Sequence, residues 1–270
     1  MSGASLGAVL SLPAVQNGML ALLIAGAVLP IVGVFIIGLD IVPVRFAMMH
    51  VALLGVAGGM LLGLDPMMCA VALCAAAGAA LAPLAGRSSG LSGPMGLLMT
   101  LAIAAAMLVL SLSGVNATSA FELLWGSILA VRRQDLALLA VLAIVIVAVY
   151  WRYRTDLALL LFDYELAQVS GIDARRLSLI LLVLISVAIA AALPLTGALL
   201  VDAVTLLPAL AARNVATSLG SMVRWAIIFG LAGNVVGFAL ALVFNQPPGP
   251  MLVLVSGAIT LATFFIGRRI

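Results

Sequence analysis

Charge-free apolar stretches of about twenty residues follow one another along this chain, from residue 14 to residue 267. A stretch of that length and purity is what a helix needs to cross the hydrocarbon core of a bilayer, at roughly 20 residues per crossing. Composition agrees: 66% of the residues are apolar and 8% charged, with a mean hydropathy of +1.39. A soluble domain is nearer half apolar and a quarter charged, so a water-soluble fold is excluded. Short segments alternating apolar and polar residues, the mark of a membrane β-barrel, are missing. The expectation is an all-α, polytopic integral membrane protein of about nine transmembrane helices, eight being possible. The 270 residues leave no room for a separate globular domain and form one transmembrane unit over 1–270.

The runs read as 14–38, 46–64, 67–85, 94–113, 135–153, 175–193, 195–213, 221–244 and 250–267. Residues 1–17 carry no basic residue, so the charged region of a signal peptide is missing there. All twelve basic residues are arginine. If the runs alternate direction, Arg45, Arg87, Arg152, Arg154, Arg175, Arg176, Arg213, Arg224, Arg268 and Arg269 fall on one side. Only Arg132 and Arg133 fall on the other. Basic residues gather in cytoplasmic loops, which predicts an external N-terminus and a cytoplasmic C-terminus. The stretch 114–134, with Asn116, Glu122 and Trp125–Gly126–Ser127, reads as an external loop with a short interfacial or re-entrant helix. Pro194 and Pro208 bracket a short apolar run, so a kink or break is expected there. The pairs Gly55/Gly59, Gly59/Gly63 and Gly233/Gly237 have the GxxxG spacing that lets helix backbones approach, mostly for internal packing.

Lysine is absent, so the chain lacks the residue with which a P-loop reaches nucleotide phosphates and cannot carry a standard ATP-hydrolysing motor; with no nucleophile–base pair or clustered carboxylates at membrane depth, it is not expected to be an enzyme. Arginines placed in pairs between apolar runs do not suggest nucleic acid. Cys69 and Cys74, five residues apart in one run, point about 140° from each other on a helix and read as packing residues.

One cytoplasmic connection stands out: Thr155–Asp173, TDLALLLFDYELAQVSGID. Asp163 is an N-cap candidate, Glu165 supplies an acidic first turn and Gly171 a stop, which predicts a two-turn helix over 163–170. It serves either as an interfacial connector or as a docking element. Two ionisable residues lie within spans, His50 and Asp202. A buried ionisable group costs several kcal/mol unless paired, hydrated or neutralised, and is a functional candidate by default. Each could also be a hydrogen-bonded structural residue, Asp202 through Thr205 or a backbone carbonyl. Imidazole and carboxylate together form a ligand set for zinc or manganese. Met48 and Met49 read as packing.

Three segments from the second half, FDYELAQVSGID, LTGALLVDAVTLLPALAAR and NQPPGPMLVLVSGA, closely resemble the permease subunit of bacterial ABC importers for zinc, manganese and iron ions. In the first half, GVFIIGLDIVPVRFAMMHVALLGVAGGMLLG and ELLWGSILAVRRQDL resemble the same family. The resemblance implies a multi-pass protein of the bacterial inner membrane, embedded in the lipid bilayer. It implies partners as well: a second copy of the chain, a cytoplasmic ATPase dimer and an extracytoplasmic metal-binding protein. It implies no permanently bound cofactor; the divalent metal is the cargo, zinc first, manganese or iron next. Asp163, Tyr164, Glu165, Leu166, Ala167 and Gly171 fall in the family's ATPase-coupling segment, 155–173 here. The family also places an aspartate four residues before its histidine. That position is Phe46 in this chain, so of the paired ligand only His50 carries over, and Asp202 becomes the candidate for restoring the carboxylate. A permease for a metal chelate such as a siderophore is the alternative within the class. A secondary transporter driven by an ion gradient is the alternative outside it.

Overall fold

The computed structural model describes residues 12–84, 92–113, 131 and 133–267, with backbone alone at 92, 113 and 194–199. Most of the expected loop 114–134 and Arg87, Arg132, Arg268 and Arg269 lie outside the described residues. Nine α-helices account for nearly all the rest: α1 (Pro13–Gly38), α2 (Pro43–Leu62), α3 (Pro66–Leu81), α4 (Ser92–Ser113), α5 (Arg133–Phe162), α6 (Tyr164–Val169), α7 (Ala174–Val215), α8 (Leu219–Phe244) and α9 (Pro248–Gly267). A 3-10 turn, Ala82–Leu84, extends α3. Eight of these helices are long and apolar enough to cross a membrane.

The helix ends follow local chemistry. Proline stands at the start of α1, α2 and α3, where its missing N–H has no intrahelical partner to lose. Asp65, Asp163, Asp173 and Ser218 cap α3, α6, α7 and α8 by accepting a backbone N–H three residues on. Close packing then depends on glycine. A Cβ on Gly55 would come within 2.5 Å of the Ala70 Cα, and one on Gly59 within 2.7 Å of the Pro66 Cα, so α2 lies directly against α3. Gly233 and Gly237 do the same for α8 against Ser256 and Leu252 of α9. Gly63 meets no neighbour and instead ends α2 with a φ of 66°.

Two boundaries differ from expectation. Helix α5 continues through TDLALLLF to Phe162 rather than stopping near residue 153, because nothing in that octet breaks a helix. Its 30 residues reach about 45 Å, beyond a hydrocarbon core of about 30 Å. The runs 175–193 and 195–213, expected to be separated at Pro194, form one backbone-helical element of 42 residues, α7.

A straight helix of that length would measure about 63 Å, yet both ends of α7 lie on one face. At its start, Asp173, Arg176 and Leu177 share a cavity with Tyr153 and Asp156 of α5. Leu179–Ala191 then face Leu138–Val149, so the first limb runs antiparallel to α5. Leu193 reaches a cluster with Val56 and Ala70, near the opposite ends of α2 and α3. The second limb comes back: the Thr205 carbonyl closes on Gly33 and the Asn214 carbonyl on Gly267. Just past it, a Cβ on Gly220 would lie 3.9 Å from the hydroxyl of Tyr150 on α5. Counting both limbs, the described residues make nine passes, and α1 begins on the face opposite the one where α9 ends. Arg45, Arg152, Arg154, Arg175, Arg176, Arg213 and Arg224 share the latter face.

Single-cysteine labels test the reversal. Labels at Arg154, Arg213 and Gly267 should react from one side of the membrane and a label at Asn245 from the other. Arg213 reacting with Asn245 would mean that α7 crosses only once.

Candidate functional site

Two charged side chains meet where α2 begins. Arg45 forms an ion pair through Nη1 with Oδ1 of Asp202, on the returning limb of α7. The side chains are 13% and 28% exposed, so water screens the pair only in part. The same guanidinium lies 4.2 Å from the ring centre of Phe46, adding a cation–π contact. Around Asp202 the limb is wrapped in protein: Leu200, Val201, Ala203, Val204 and Thr205 are all buried. Backbone that departs from a straight span is tolerated at membrane depth only where protein or a watery cavity surrounds it.

His50 stands one helical turn above Phe46. Its Nδ1 lies 2.6 Å from the Phe46 carbonyl oxygen. That oxygen can only accept, so Nδ1 is the donor, and Nε2 is the nitrogen that offers a lone pair when the ring is neutral. Fixing the tautomer through one nitrogen is how a ligating histidine is usually oriented. The two residues expected to act together therefore have separate partners: His50 its own helix, Asp202 the arginine. No group of three or more His, Cys, Asp or Glu residues suited to a metal occurs among the described residues. Cys74 is buried against α2, its thiol directed at the Met48 carbonyl at 3.4 Å.

Sequence reasoning counted Arg45 as a topology marker and missed its pairing. The signal was available in principle, because a carboxylate within a span needs a partner. What the sequence lacks is the return of α7, which brings residue 202 back toward the face where α2 starts.

The second candidate site is α6. Asp163 Oδ1 accepts from the Leu166 N–H at 2.9 Å and opens the helix. At the other end, Ile172 N–H donates to the Ala167 carbonyl and Gly171 N–H to that of Gln168. With Gly171 at a φ of 84°, this is a Schellman ending, which needs the left-handed conformation that glycine adopts freely. Ala167 is fully buried and Tyr164 packs against the core, which holds the helix on the protein. Glu165, Leu166 and Val169 face outward, the last 86% exposed, beside Phe162 at 83%.

The chain matches the model of the ABC 3 transport family over residues 11–267. The chain belongs to this family. It is 26% identical over 259 residues to the high-affinity zinc uptake system membrane protein ZnuB of Haemophilus influenzae, covering 96% of this chain and 98% of that one. To the manganese import system permease protein ScaB of Streptococcus gordonii it is 28% identical over 255 residues, 94% of this chain and 91% of the other. Its fold superimposes on a chain of PsaBC from Streptococcus pneumoniae, solved in complex with Fab, with a TM-score of 0.82 and 27% identity. That alignment covers 96% of this chain and 94% of the solved one. An inward-facing putative metal-chelate type ABC transporter shares the fold at a TM-score of 0.67 and 17% identity. The resemblance read from the sequence, to the permeases of metal-ion ABC transporters, is thus the family of this chain.

A double-mutant cycle tests the ion pair. Arg45→Gln and Asp202→Asn should each destabilise the purified permease, and the double variant should lose less than their sum. A coupling of about 1–2 kcal/mol suits a partly screened pair. Strict additivity in thermal unfolding would show that the two do not interact.

Proposed function

We propose that this chain is the membrane-spanning permease subunit of an ATP-driven importer for divalent transition-metal ions, zinc or manganese. The observation that carries the reading is the near full-length match to a zinc uptake membrane protein and a manganese import permease, in a family of ABC permeases. In this reading the arginine-rich face lies in the cytoplasm of a bacterial inner membrane, with the N-terminus outside and the C-terminus inside. Two copies enclose one pathway, a metal-binding protein delivers the ion from outside, and ATP is hydrolysed on separate chains.

Helix α6 is the docking element for that ATPase. Its support is its build: a short helix capped at both ends, anchored by Ala167 and Tyr164, with Glu165, Leu166 and Val169 turned outward. A rigid lever of this kind can pass a push from a partner to α5 and α7, which flank it in the chain. The metal's way-station is His50, whose Nε2 lone pair suits a borderline ion. Asp202 is a conditional ligand. A cation and the Arg45 guanidinium repel each other, so the carboxylate can receive metal only where the ion pair gives way. One histidine and one carboxylate per protomer bind loosely enough to release, unlike the closed four-ligand cage of a structural zinc site.

Two sets of variants test this. Glu165→Lys, or Ala167→Pro with its loss of about 3 kcal/mol of helix stability, should abolish stimulation of the partner ATPase while the permease still assembles in the membrane. Unchanged stimulation would remove the docking role. His50→Ala should lower metal uptake about 10-fold or more without altering that stimulation, and Asp202→Asn should do so nearly as much. Normal uptake in both would place the way-station elsewhere.

A further inference from the structure

We propose that a groove between α5 and α8, at the level where both leave the membrane, binds the headgroup of an anionic phospholipid. The groove is a cavity of about 390 Å³, within the range of pockets that hold small molecules. Its mouth carries Arg154 and Arg224, and neither guanidinium is ion-paired among the described residues. Arg154 lies 5.8 Å from the ring of Trp151, and Arg224 donates through Nε to the Gly220 carbonyl at 3.3 Å. Both contacts fix the side chains and leave most of their N–H groups unused, for Arg carries five donors in a planar fork. Ser221, on the first turn of α8, adds a hydroxyl to the lining. Below these groups the floor is apolar, made by Ile31 and Val147.

Position selects the occupant. Tryptophan collects at the membrane–water boundary, and Trp151 and Trp225, 68% and 40% exposed, sit on the two helices that frame the groove. Helix α5 overruns the hydrocarbon core, so its Arg154 emerges at headgroup level. A cationic mouth above an apolar floor at that depth complements a phosphodiester above acyl chains, and basic pockets between membrane helices bind anionic headgroups in this way. The phosphate accepts from both guanidinium groups in charge-assisted bonds, and the chains lie along Val147 and Ile31. The occupant would join α5, which leads into α6, to α8, which packs on α1 and α9.

The test uses the whole permease, purified from bilayers of equal parts phosphatidylglycerol and phosphatidylcholine, with retained lipids counted by native mass spectrometry during washing in phosphatidylcholine micelles. Wild type should keep phosphatidylglycerol in preference to phosphatidylcholine. The pair Arg154→Gln/Arg224→Gln should weaken retention about 25-fold, from about fivefold per arginine near a charged surface. Arg152→Gln/Arg175→Gln removes the same charge on the same face outside the groove and should leave retention within about twofold. Arg154→Lys/Arg224→Lys should recover most of it. If the double glutamine variant fails to fold, each single variant, expected at about fivefold, carries the test. Equal loss in both glutamine pairs would reduce the effect to general surface charge and overturn the proposal. So would a wild type that retains no phosphatidylglycerol above phosphatidylcholine.

Discussion

Helix α7 rises from one face of the membrane and returns to it, and the rest of the structure is arranged around that reversal. It packs against α1, α2, α3, α5, α6, α8 and α9. In hydrocarbon no water is at hand to satisfy a freed backbone group, so a turn at membrane depth must be walled in by protein. Just before the turn, Ala190 and Leu193 cluster with Val56 of α2, Ala70 of α3 and Ala102 of α4, and small residues bring α1 and α3 close against the limbs. Gly33 leaves room for the Thr205 carbonyl, which a Cβ would meet, and Gly78 leaves room for Ser186 and Leu182. Helix α1 and the first limb of α7 are accordingly among the most buried spans, whereas α4, α5 and α9 keep most of their apolar surface outward. Asn234 adds a polar tie, donating at 2.8 Å to the Leu22 carbonyl and pinning α8 to α1.

The reversal also sets the polar chemistry. Because the second limb descends beside α2, Asp202 meets Arg45, and a carboxylate that would be costly in a span acquires a counter-charge. Breaking such a pair leaves an uncompensated charge, so the pair holds the limb and α2 in one register. His50 sits one turn farther along α2 with its tautomer fixed by its own backbone. The ion pair and the histidine thus share one helix. A rearrangement that moves α2 against the returning limb strains the ion pair and carries His50 along with its helix.

Much of this was legible beforehand. The membrane class, the approximate spans and the α6 helix with its Asp163 cap and Gly171 stop are local or compositional properties, set by hydropathy and by the chemistry of helix ends. The clustering of Arg45, Arg152, Arg154, Arg175, Arg176, Arg213 and Arg224 on one face came from assuming alternation, and the folded limbs of α7 preserve it. Two features were not legible. The extension of α5 to Phe162 was hidden because the charges of Arg152, Arg154 and Asp156 end the apolar run, although every residue of the TDLALLLF stretch is compatible with a helix. The Arg45–Asp202 pair was hidden because it joins residues 157 positions apart through a turn whose geometry no local pattern encodes. Phe46 illustrates the same limit: a position expected to bear a carboxylate instead offers an aromatic face to the neighbouring arginine.

In the proposed function this fold couples a separate ATPase to the movement of a transition-metal ion. Uptake by proteoliposomes containing the permease, its ATPase and its binding protein measures it directly, with zinc and manganese supplied in turn and no proton or sodium gradient imposed. At least one of the two ions should accumulate in a way that requires ATP and stops when hydrolysis is blocked. Accumulation that proceeds without ATP and follows an imposed ion gradient would contradict it.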